Sequence, residues 1–254
     1  MIKEKDIEVM REGGKKLAHV MEHVLSFIKP SVSAFELDKI AEEELKKQGG
    51  IPWFKGYKDE IQAHIKPFPA SICLSINDEI VHGVPLKEKI IKDGDIVSVD
   101  IGMVYKNLYT DMARTVIAGA GDEKAKKLIR ITKESLDKGI GIVRDGARVG
   151  DIGFAVEQFV RPHGYGIIRE LVGHGIGYAA HEDPQIPNFG NQGEGKMLRE
   201  GMAIAIEPMV TEKGEDIITD KDGWTIRTKD HSRAAHFEDT VLVTKTGVEV
   251  ITKI

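Results

Sequence analysis

The chain has 254 residues and a formal net charge of −5, and 41% of its residues are hydrophobic and 30% charged. This composition is typical of a globular protein large enough to bury a sizeable core. Cys73 is the single cysteine, which excludes an internal disulfide, and the net charge gives no reason to expect specific nucleic-acid binding.

The N-terminal sequence MIKEKDIEVMREGGKK shows no targeting signal. It lacks the apolar core of a secretory signal and is too acidic for a transit peptide. No apolar run approaches the roughly 20 residues that span a bilayer. We therefore expect a cytoplasmic protein without membrane contact, and a monomer, since nothing in the sequence marks an oligomer.

The first half of the chain predicts two helices followed by strands. Apolar residues recur at helical spacing through residues 4–28, and Pro30 ends this helix. Ser33 and Glu36 form a capping box that opens a second helix, which stops at Gly49–Gly50. Strand patterns follow near 71–76, 95–104 and 110–117.

The second half repeats this order. Asp122 is placed to cap a helix that continues to Ile140, and residues 151–160 predict another helix. Strand patterns then follow near 167–172, 202–210 and 237–244.

Matching motifs indicate that the two halves arose by duplication. DGDIVSVD, which ends at Asp100, aligns with EGMAIAIE, which ends at Glu207. TDMARTVI aligns with FEDTVLVT, which places Asp111 against Glu238. We expect one α+β domain over residues 1–254, with mostly antiparallel strands and halves at about 1–120 and 121–254.

The matched acids predict a cation site. If the hairpin turn centres on Tyr105–Lys106, Asp100 and Asp111 lie opposite each other on one face of the hairpin. Carboxylates that are buried without a partner are costly, so a cation is expected between them. Glu207 and Glu238 supply two further acids from the second half.

His174, within LVGHGIG, is the candidate nitrogen ligand, and its flanking glycines let the backbone pack closely. One imidazole and four carboxylates, two of them able to bridge, fit two divalent ions about 3.5–4 Å apart. Taken singly, a strand acid is usually solvated and His174 is more often a hydrogen-bonded core histidine. The repetition of the acids in matched apolar strands favours the metal site.

Two further histidines occupy matching positions, His82 in HGVP and His181 in HEDP. Each could cap the local backbone of a turn. The alternative is a role at the rim of the site, where an imidazole can hydrogen-bond substrate or a developing oxyanion. Their equivalent placement favours the second interpretation modestly.

Five motifs together resemble those of the type I methionine aminopeptidases, which have the pita-bread metallopeptidase fold: NDEIVHGVP, VDIG…YTDMART, GHGIG…HEDPQIPNFG, GMAIAIEPMV and FEDTVLV. The resemblance covers nearly the whole chain. It implies two pseudo-symmetric αβ halves around a central antiparallel sheet. It also implies removal of the N-terminal methionine from nascent proteins and peptides, with preference for a small second residue.

The resemblance implies a set of metal ligands. Asp111 and Glu238 would bridge two divalent ions, Asp100 would complete one ion, and His174 and Glu207 would complete the other. The ions could be cobalt, manganese, iron or zinc, all of which accept this ligand set.

The resemblance also implies roles towards substrate. Glu207 would handle the proton of the attacking water, His181 would stabilise the oxyanion, and His82 would contact the backbone beyond the scissile bond. The free substrate amine would bind a metal, which would explain exopeptidase action. Phe68 and Cys73 would line the methionine pocket together with Trp224, although each could instead be an ordinary core residue.

The sequence departs from the pattern of the resembled family at three places. Ala180 stands where bacterial relatives often carry a bulky aromatic residue, and His236 replaces a common glutamine. The segment 53–66 is longer than in the shortest relatives. Three of its aromatic residues could fill the space beside Ala180: Trp53, Phe54 and Tyr57.

Two other functions compete with this prediction. Proline-directed peptidases share the fold, but they usually carry an added N-terminal domain and have their two glutamate ligands closer together in sequence. A non-catalytic binding module of the same fold is disfavoured because all five ligands and both histidines are present. The lysines of KAKK (124–127) could make a transient ribosome contact, although a solvated helix face is the simpler interpretation.

Overall fold

The computed structural model describes residues 1–58 and 65–254. This part of the chain contains four α-helices and fifteen strands. The helices are α1 (Glu4–Leu25), α2 (Ala34–Lys47), α3 (Glu123–Ile140) and α4 (Val149–Val160). The first-half strands are β1 (Ile51–Pro52), β2 (Cys73–Ile76), β3 (Glu79–Val81), β4 (Ile96–Tyr105) and β5 (Leu108–Ile117). The second-half strands are β6 (Gly166–Ile167), β7 (Gly173–Gly175), β8 (Glu182–Ile186), β9 (Ala203–Ile206), β10 (Met209–Thr211), β11 (Ile217–Thr219), β12 (Ile226–Thr228), β13 (Ala234–His236), β14 (Glu238–Val243) and β15 (Val248–Val250).

The helix starts follow the predicted capping. Ser33 Oγ accepts a hydrogen bond from the Glu36 backbone N–H at 3.2 Å, and the Glu36 carboxylate accepts one from the Ser33 N–H at 3.1 Å. Asp122 accepts a hydrogen bond from the Ala125 N–H at 2.7 Å. Both caps satisfy N–H groups that the first helical turn leaves without partners. The first helix is shorter than predicted, since it ends at Leu25.

A nine-stranded sheet joins the two halves. Its strand order is β1–β4–β5–β14–β9–β7–β8, with β2 also paired to β4 and β15 to β14. All of these pairings are antiparallel. The β5–β14 pairing is where a first-half strand meets a second-half strand, so the centre of the sheet contains residues of both halves.

The hairpin of β4 and β5 has a different register from the one predicted. Its turn is formed by Lys106 and Asn107, both with positive φ (47° and 68°), as a two-residue turn of type I′ requires. Asp100 therefore pairs with Ala113, and Asp111 pairs with the glycine at position 102. The prediction that the two acids lie directly opposite each other is wrong. They are diagonal neighbours on the same face.

The strand predicted at 202–210 is broken in two. Pro208 follows Glu207 at the break, and it has no N–H with which to continue the ladder. β9 pairs within the central sheet, whereas β10 pairs with β6 and β13 in a separate three-stranded sheet. Glu207 therefore lies where the chain leaves the central sheet. The strand predicted at 167–172 is likewise replaced by the two short strands β6 and β7.

Apolar cores lie between the helices and the sheet. In the first half, Leu17 of α1 and Leu37 of α2 are buried in one cluster with Ile101 of β4. In the second half, Leu136 of α3 is buried in a cluster with Ile204 of β9. None of the helices in the described part of the chain combines the length and apolar character needed to cross a bilayer.

Candidate metal centre

Three acids meet on one face of the sheet, where β4, β5 and β14 lie side by side. Ala113 of β5 pairs with Asp100 on one side and with Glu238 on the other. Asp111 is two residues from Ala113 and so points to the same face. The register therefore brings together carboxylates from distant parts of the chain.

Glu207 and His174 approach these acids from neighbouring strands. Glu207 directly follows β9, and its backbone carbonyl accepts a hydrogen bond from Asn188 Nδ2 at 3.0 Å. His174 is the central residue of β7, which pairs with β9. The His174 Nε2 atom lies 3.7 Å from Oε1 of Glu207.

The glycines beside His174 let β7 lie close to its neighbours, as the sequence predicts. A Cβ on Gly173 would lie 2.3 Å from the carbonyl oxygen of Ala205. A Cβ on Gly175 would lie 2.4 Å from the carbonyl oxygen of Asp183. Since both obstacles are backbone atoms, larger residues would push His174 away from the acids.

Side-chain donor atoms crowd around a small volume. Ligand atoms of Asp111, His174 and Glu238 lie within 4.8 Å of one another. Glu207 adjoins this group, because its Oε1 atom lies 3.7 Å from the His174 Nε2 atom. Such convergence of carboxylate oxygens and imidazole nitrogens is the arrangement that binds divalent metals.

The four acids of the site all have raised pKa values. Burial raises the pKa of Asp100 to about 7 and that of Glu207 to about 8. Burial, followed by the charge of Asp100, raises the pKa of Asp111 well above its ordinary value, and burial followed by the charge of Asp111 does the same for Glu238. The set therefore cannot be fully ionised at neutral pH unless cations are bound.

The unsatisfied atoms of the site fit such cations. Oδ1 of Asp100 and Oε1 of Glu238 are buried and have no hydrogen-bond partner among the described residues. His174 Nδ1 lies 2.9 Å from the Gly175 carbonyl oxygen, to which it donates its proton. This tautomer leaves the lone pair on Nε2, the nitrogen nearest Glu207. The donor set therefore suits divalent metal ions.

The two remaining histidines differ in environment. His82 has a left-handed backbone (φ 56°), which is uncommon outside glycine. Burial lowers the pKa of His82 to about 4, with smaller contributions from His236 and His181, so its ring is neutral near pH 7. His181 is exposed, its Nδ1 lies 3.2 Å from the Tyr57 hydroxyl oxygen, and its ring centroid is 4.5 Å from that of His174.

All ten predicted site residues line the same cavity, whose volume is about 610 Å³. The Phe68 and Trp224 rings meet edge to face with centroids 5.4 Å apart, and Trp224 Nε1 donates to the Lys66 carbonyl oxygen at 2.9 Å. Cys73 is the cross-strand partner of Asp100. The apolar wall therefore adjoins the acids directly.

An aromatic cluster beside His181 was only partly anticipated. Trp53 and Tyr57 contact the His181 ring edge-on, with centroids 5.4 and 5.6 Å away. Phe54 is buried behind Trp53 at a centroid distance of 4.3 Å. The prediction that this segment contributes to the pocket extends to residues 59–64, which lie outside the described residues.

Sequence reasoning gave His236 no role at the site. The structure buries it to 1% exposure and places its Nε2 3.5 Å from Oε2 of Glu207. Ligand atoms of Glu207, His236 and Glu238 also lie within 4.8 Å of one another. Burial lowers the pKa of His236 to about 4. Its position two residues before Glu238, on the same alternation, was the signal that could have revealed it.

The chain matches metallopeptidase family M24 over residues 8–245. It is 43% identical over 247 residues to a methionine aminopeptidase from Clostridium acetobutylicum, covering 97% of this chain and 96% of that protein. It is 42% identical over 250 residues to methionine aminopeptidase 1 from Bacillus subtilis, covering 98% and 97%. The crystal structure of methionine aminopeptidase from Thermotoga maritima matches with a TM-score of 0.94 and 44% identity, covering 100% of both chains.

Proposed function

This chain belongs to metallopeptidase family M24, and on that premise we propose that it is a methionine aminopeptidase. It would remove the N-terminal methionine from nascent proteins and peptides and prefer a small second residue. The observation that carries the proposal is the shared cavity, in which buried acids and His174 adjoin an apolar wall. Relatives that carry this activity in their names match along nearly the whole chain.

The ligands in the proposal are Asp100, Asp111, His174, Glu207 and Glu238. Two divalent ions would suit four buried carboxylates, because a single ion would leave half of their negative charge uncompensated. Cobalt, manganese, iron and zinc all accept oxygen and imidazole ligands. When bound, the ions would polarise the substrate carbonyl and acidify the attacking water.

The residues of the chain would divide the remaining work. Glu207 would carry the proton from water to the leaving amine. His181, held at the cavity rim beside Tyr57, would donate from Nε2 to the developing oxyanion. His82 would contact the peptide beyond the scissile bond.

Selectivity for methionine would come from the apolar wall. Phe68, Cys73 and Trp224 offer a flexible thioether a lining without a competing charge. Burial raises the pKa of the Cys73 thiol well above its ordinary value, so this side chain is neutral and apolar at neutral pH. Cys73 pairs with Asp100, so a side chain in this pocket would place its own carbonyl near the acids.

The test is release of free methionine from Met-Ala-Ser, with an Ala-Pro dipeptide as the control substrate. The protein is first stripped with a chelator and then given single metals. We expect metal-dependent release of methionine and no cleavage of Ala-Pro. Glu207→Gln should lower kcat by at least about 100-fold, whereas Asp216→Asn, which alters an exposed carboxylate, should not.

Each contrary result has a distinct meaning. Cleavage of Ala-Pro alone would assign the chain to the proline-directed peptidases of the same fold. No cleavage of either substrate by folded, metal-loaded protein would support the non-catalytic binding module. Full activity in the chelated protein would refute the metal-dependent mechanism.

The proposal treats residues 1–254 as one catalytic unit, acting as a monomer on nascent chains in the cytoplasm. Support for one unit comes from the acids, which are contributed by both halves and meet where β5 pairs with β14. The lysines near the start of α3 support a solvated face more than a ribosome contact. Lys126 pairs with Glu123 at 2.7 Å, and Lys127 lies over the Tyr165 ring.

A further inference from the structure

His236 is a buried imidazole without hydrogen-bond partners. Neither Nδ1 nor Nε2 has one among the described residues, although the side chain is almost fully buried. A buried ring N–H or lone pair that lacks a partner costs free energy, so such an arrangement calls for an explanation. The surrounding residues indicate what the missing partner is.

Two ligand carboxylates lie beside this ring. Nε2 of His236 is 3.5 Å from Oε2 of Glu207, and one donor atom from each of Glu207, His236 and Glu238 falls within 4.8 Å of the others. This group shares Glu238 with the one formed by Asp111 and His174. A cation bound to both glutamates would therefore lie within reach of the His236 ring.

We propose that His236 is a sixth protein ligand of the metal centre, binding through Nε2 the ion that Glu207 and Glu238 hold. The inference rests on the proposed metal centre and adds a second imidazole to it. Metal binding would satisfy the Nε2 lone pair.

A simpler role for His236 is donation of a hydrogen bond from Nε2 to Glu207. The 3.5 Å separation is long for a charge-assisted hydrogen bond, which is normally about 2.7–2.9 Å. Two donor atoms that bind the same metal ion, in contrast, are held further apart because the ion lies between them. The geometry therefore favours ligation over a direct hydrogen bond.

The proposal has a consequence for metal preference. Imidazole nitrogen suits zinc, cobalt and iron, whereas carboxylate oxygens suit manganese and magnesium. An additional nitrogen should therefore raise affinity for zinc more than affinity for manganese. His236→Gln is the informative substitution, because the amide N–H can still donate to Glu207 but its neutral oxygen is a poor zinc ligand.

The experiment counts histidine ligands directly. Stripped full-length protein is loaded with Co²⁺, and the hyperfine-shifted, exchangeable ring N–H signals are recorded by NMR. We expect two such signals in the unaltered protein, one from His174 and one from His236. The spectrum of His236→Gln should lack one of these signals. Its zinc affinity should be at least about tenfold lower, and its manganese affinity should fall by less. His19→Gln, which alters an exposed histidine of α1, should change neither.

A single shifted signal in the unaltered protein would overturn the proposal, as would unchanged zinc affinity in His236→Gln. If that variant does not fold, the signal count in the unaltered protein still decides. These outcomes are separate from failure of the proposed function. That failure would appear as no metal binding at all, or as metal-loaded protein with two histidine ligands that releases no methionine.

Discussion

Asp38 of α2 anchors the segment that carries the apolar wall into the cavity. Its Oδ1 atom accepts hydrogen bonds from the backbone N–H groups of Ser71 at 2.7 Å and Ile72 at 3.2 Å. Asp38 is 4% exposed, and Ser71 and Ile72 are fully buried. Cys73 follows immediately, so we predict that Asp38→Ala loosens both the fold and the pocket.

The expected cost follows from the two N–H groups. Each buried donor left without a partner costs about 1–3 kcal/mol. The substitution also removes a carboxylate whose charged form is disfavoured by burial, and this offsets part of the loss in stability. We therefore expect Asp38→Ala to lower the free energy of unfolding by about 2–4 kcal/mol. Asp38→Asn keeps an acceptor oxygen and the side-chain volume, so it should change stability by less than about 1 kcal/mol.

The pH dependence gives a second signature. Burial outweighs the two backbone hydrogen bonds and raises the pKa of Asp38 above its ordinary value in the folded state. The folded protein therefore binds this proton more tightly than the unfolded chain does. Ionisation of Asp38 destabilises the fold as pH rises from its ordinary pKa through its folded pKa. The stability of Asp38→Asn relative to the unaltered protein should increase across this window.

The assay is equilibrium unfolding by urea in the presence of chelator, so that metal binding does not contribute. The KM for a methionine peptide is measured on the metal-loaded enzymes and should rise in Asp38→Ala. If Asp38→Ala unfolds within about 0.5 kcal/mol of the unaltered protein, the two hydrogen bonds do not hold this segment. Equal destabilisation by Ala and Asn would show that the acceptor oxygen is not the stabilising element.

Three further predictions test other parts of the molecule. Gly102→Ala would place a methyl group 1.9 Å from Nε1 of Trp53, whose indole contacts His181, so the indole must shift and kcat/KM should fall about tenfold or more. Glu238→Gln should raise the melting temperature in chelator at neutral pH, because burial raises the pKa of Glu238 and its ionised form is penalised. In saturating zinc the same variant should melt lower than the unaltered protein, because it would lack one of the proposed ligands. Arg227→Ala should lower the free energy of unfolding by about 2 kcal/mol in urea titrations, because Oε1 of the buried Glu79 loses its 2.8 Å partner while Oε2 keeps Lys89 at 2.8 Å.

The architecture was largely predictable from local patterns. Helical periodicity, the Ser33 capping box and the repeated strand motifs predicted the helices and the main strands, and the matched crystal structure confirms the predicted pita-bread fold. These signals depend on neighbouring residues and so can be read without tertiary contacts. The break at Pro208 was also visible in the sequence, but apolar alternation on both sides of it favoured one continuous strand.

The strand register and the side-chain contacts were harder to predict from the sequence. A turn displaced by one position changes Asp100 and Asp111 from opposed to diagonal neighbours, and the tyrosine–lysine–asparagine sequence does not choose between the two turns. The contact of Tyr57 with His181 joins segments far apart in the chain, and no periodic pattern encodes it. The residue types of the site were therefore predictable, whereas their mutual geometry was not.

The placement of the proposed ligands would link metal binding to the association of the two halves. Asp100 and Asp111 come from the first half, while His174, Glu207 and Glu238 come from the second. Their unfavourable burial is tolerated because the β5–β14 pairing fixes the strands in register, yet like charges on either side of that pairing repel each other. A cation that binds both sets replaces this repulsion with attraction at the seam between the halves. We therefore expect metal to stabilise the whole chain cooperatively, because a ligand that binds only the assembled site shifts the equilibrium of every element needed to build it.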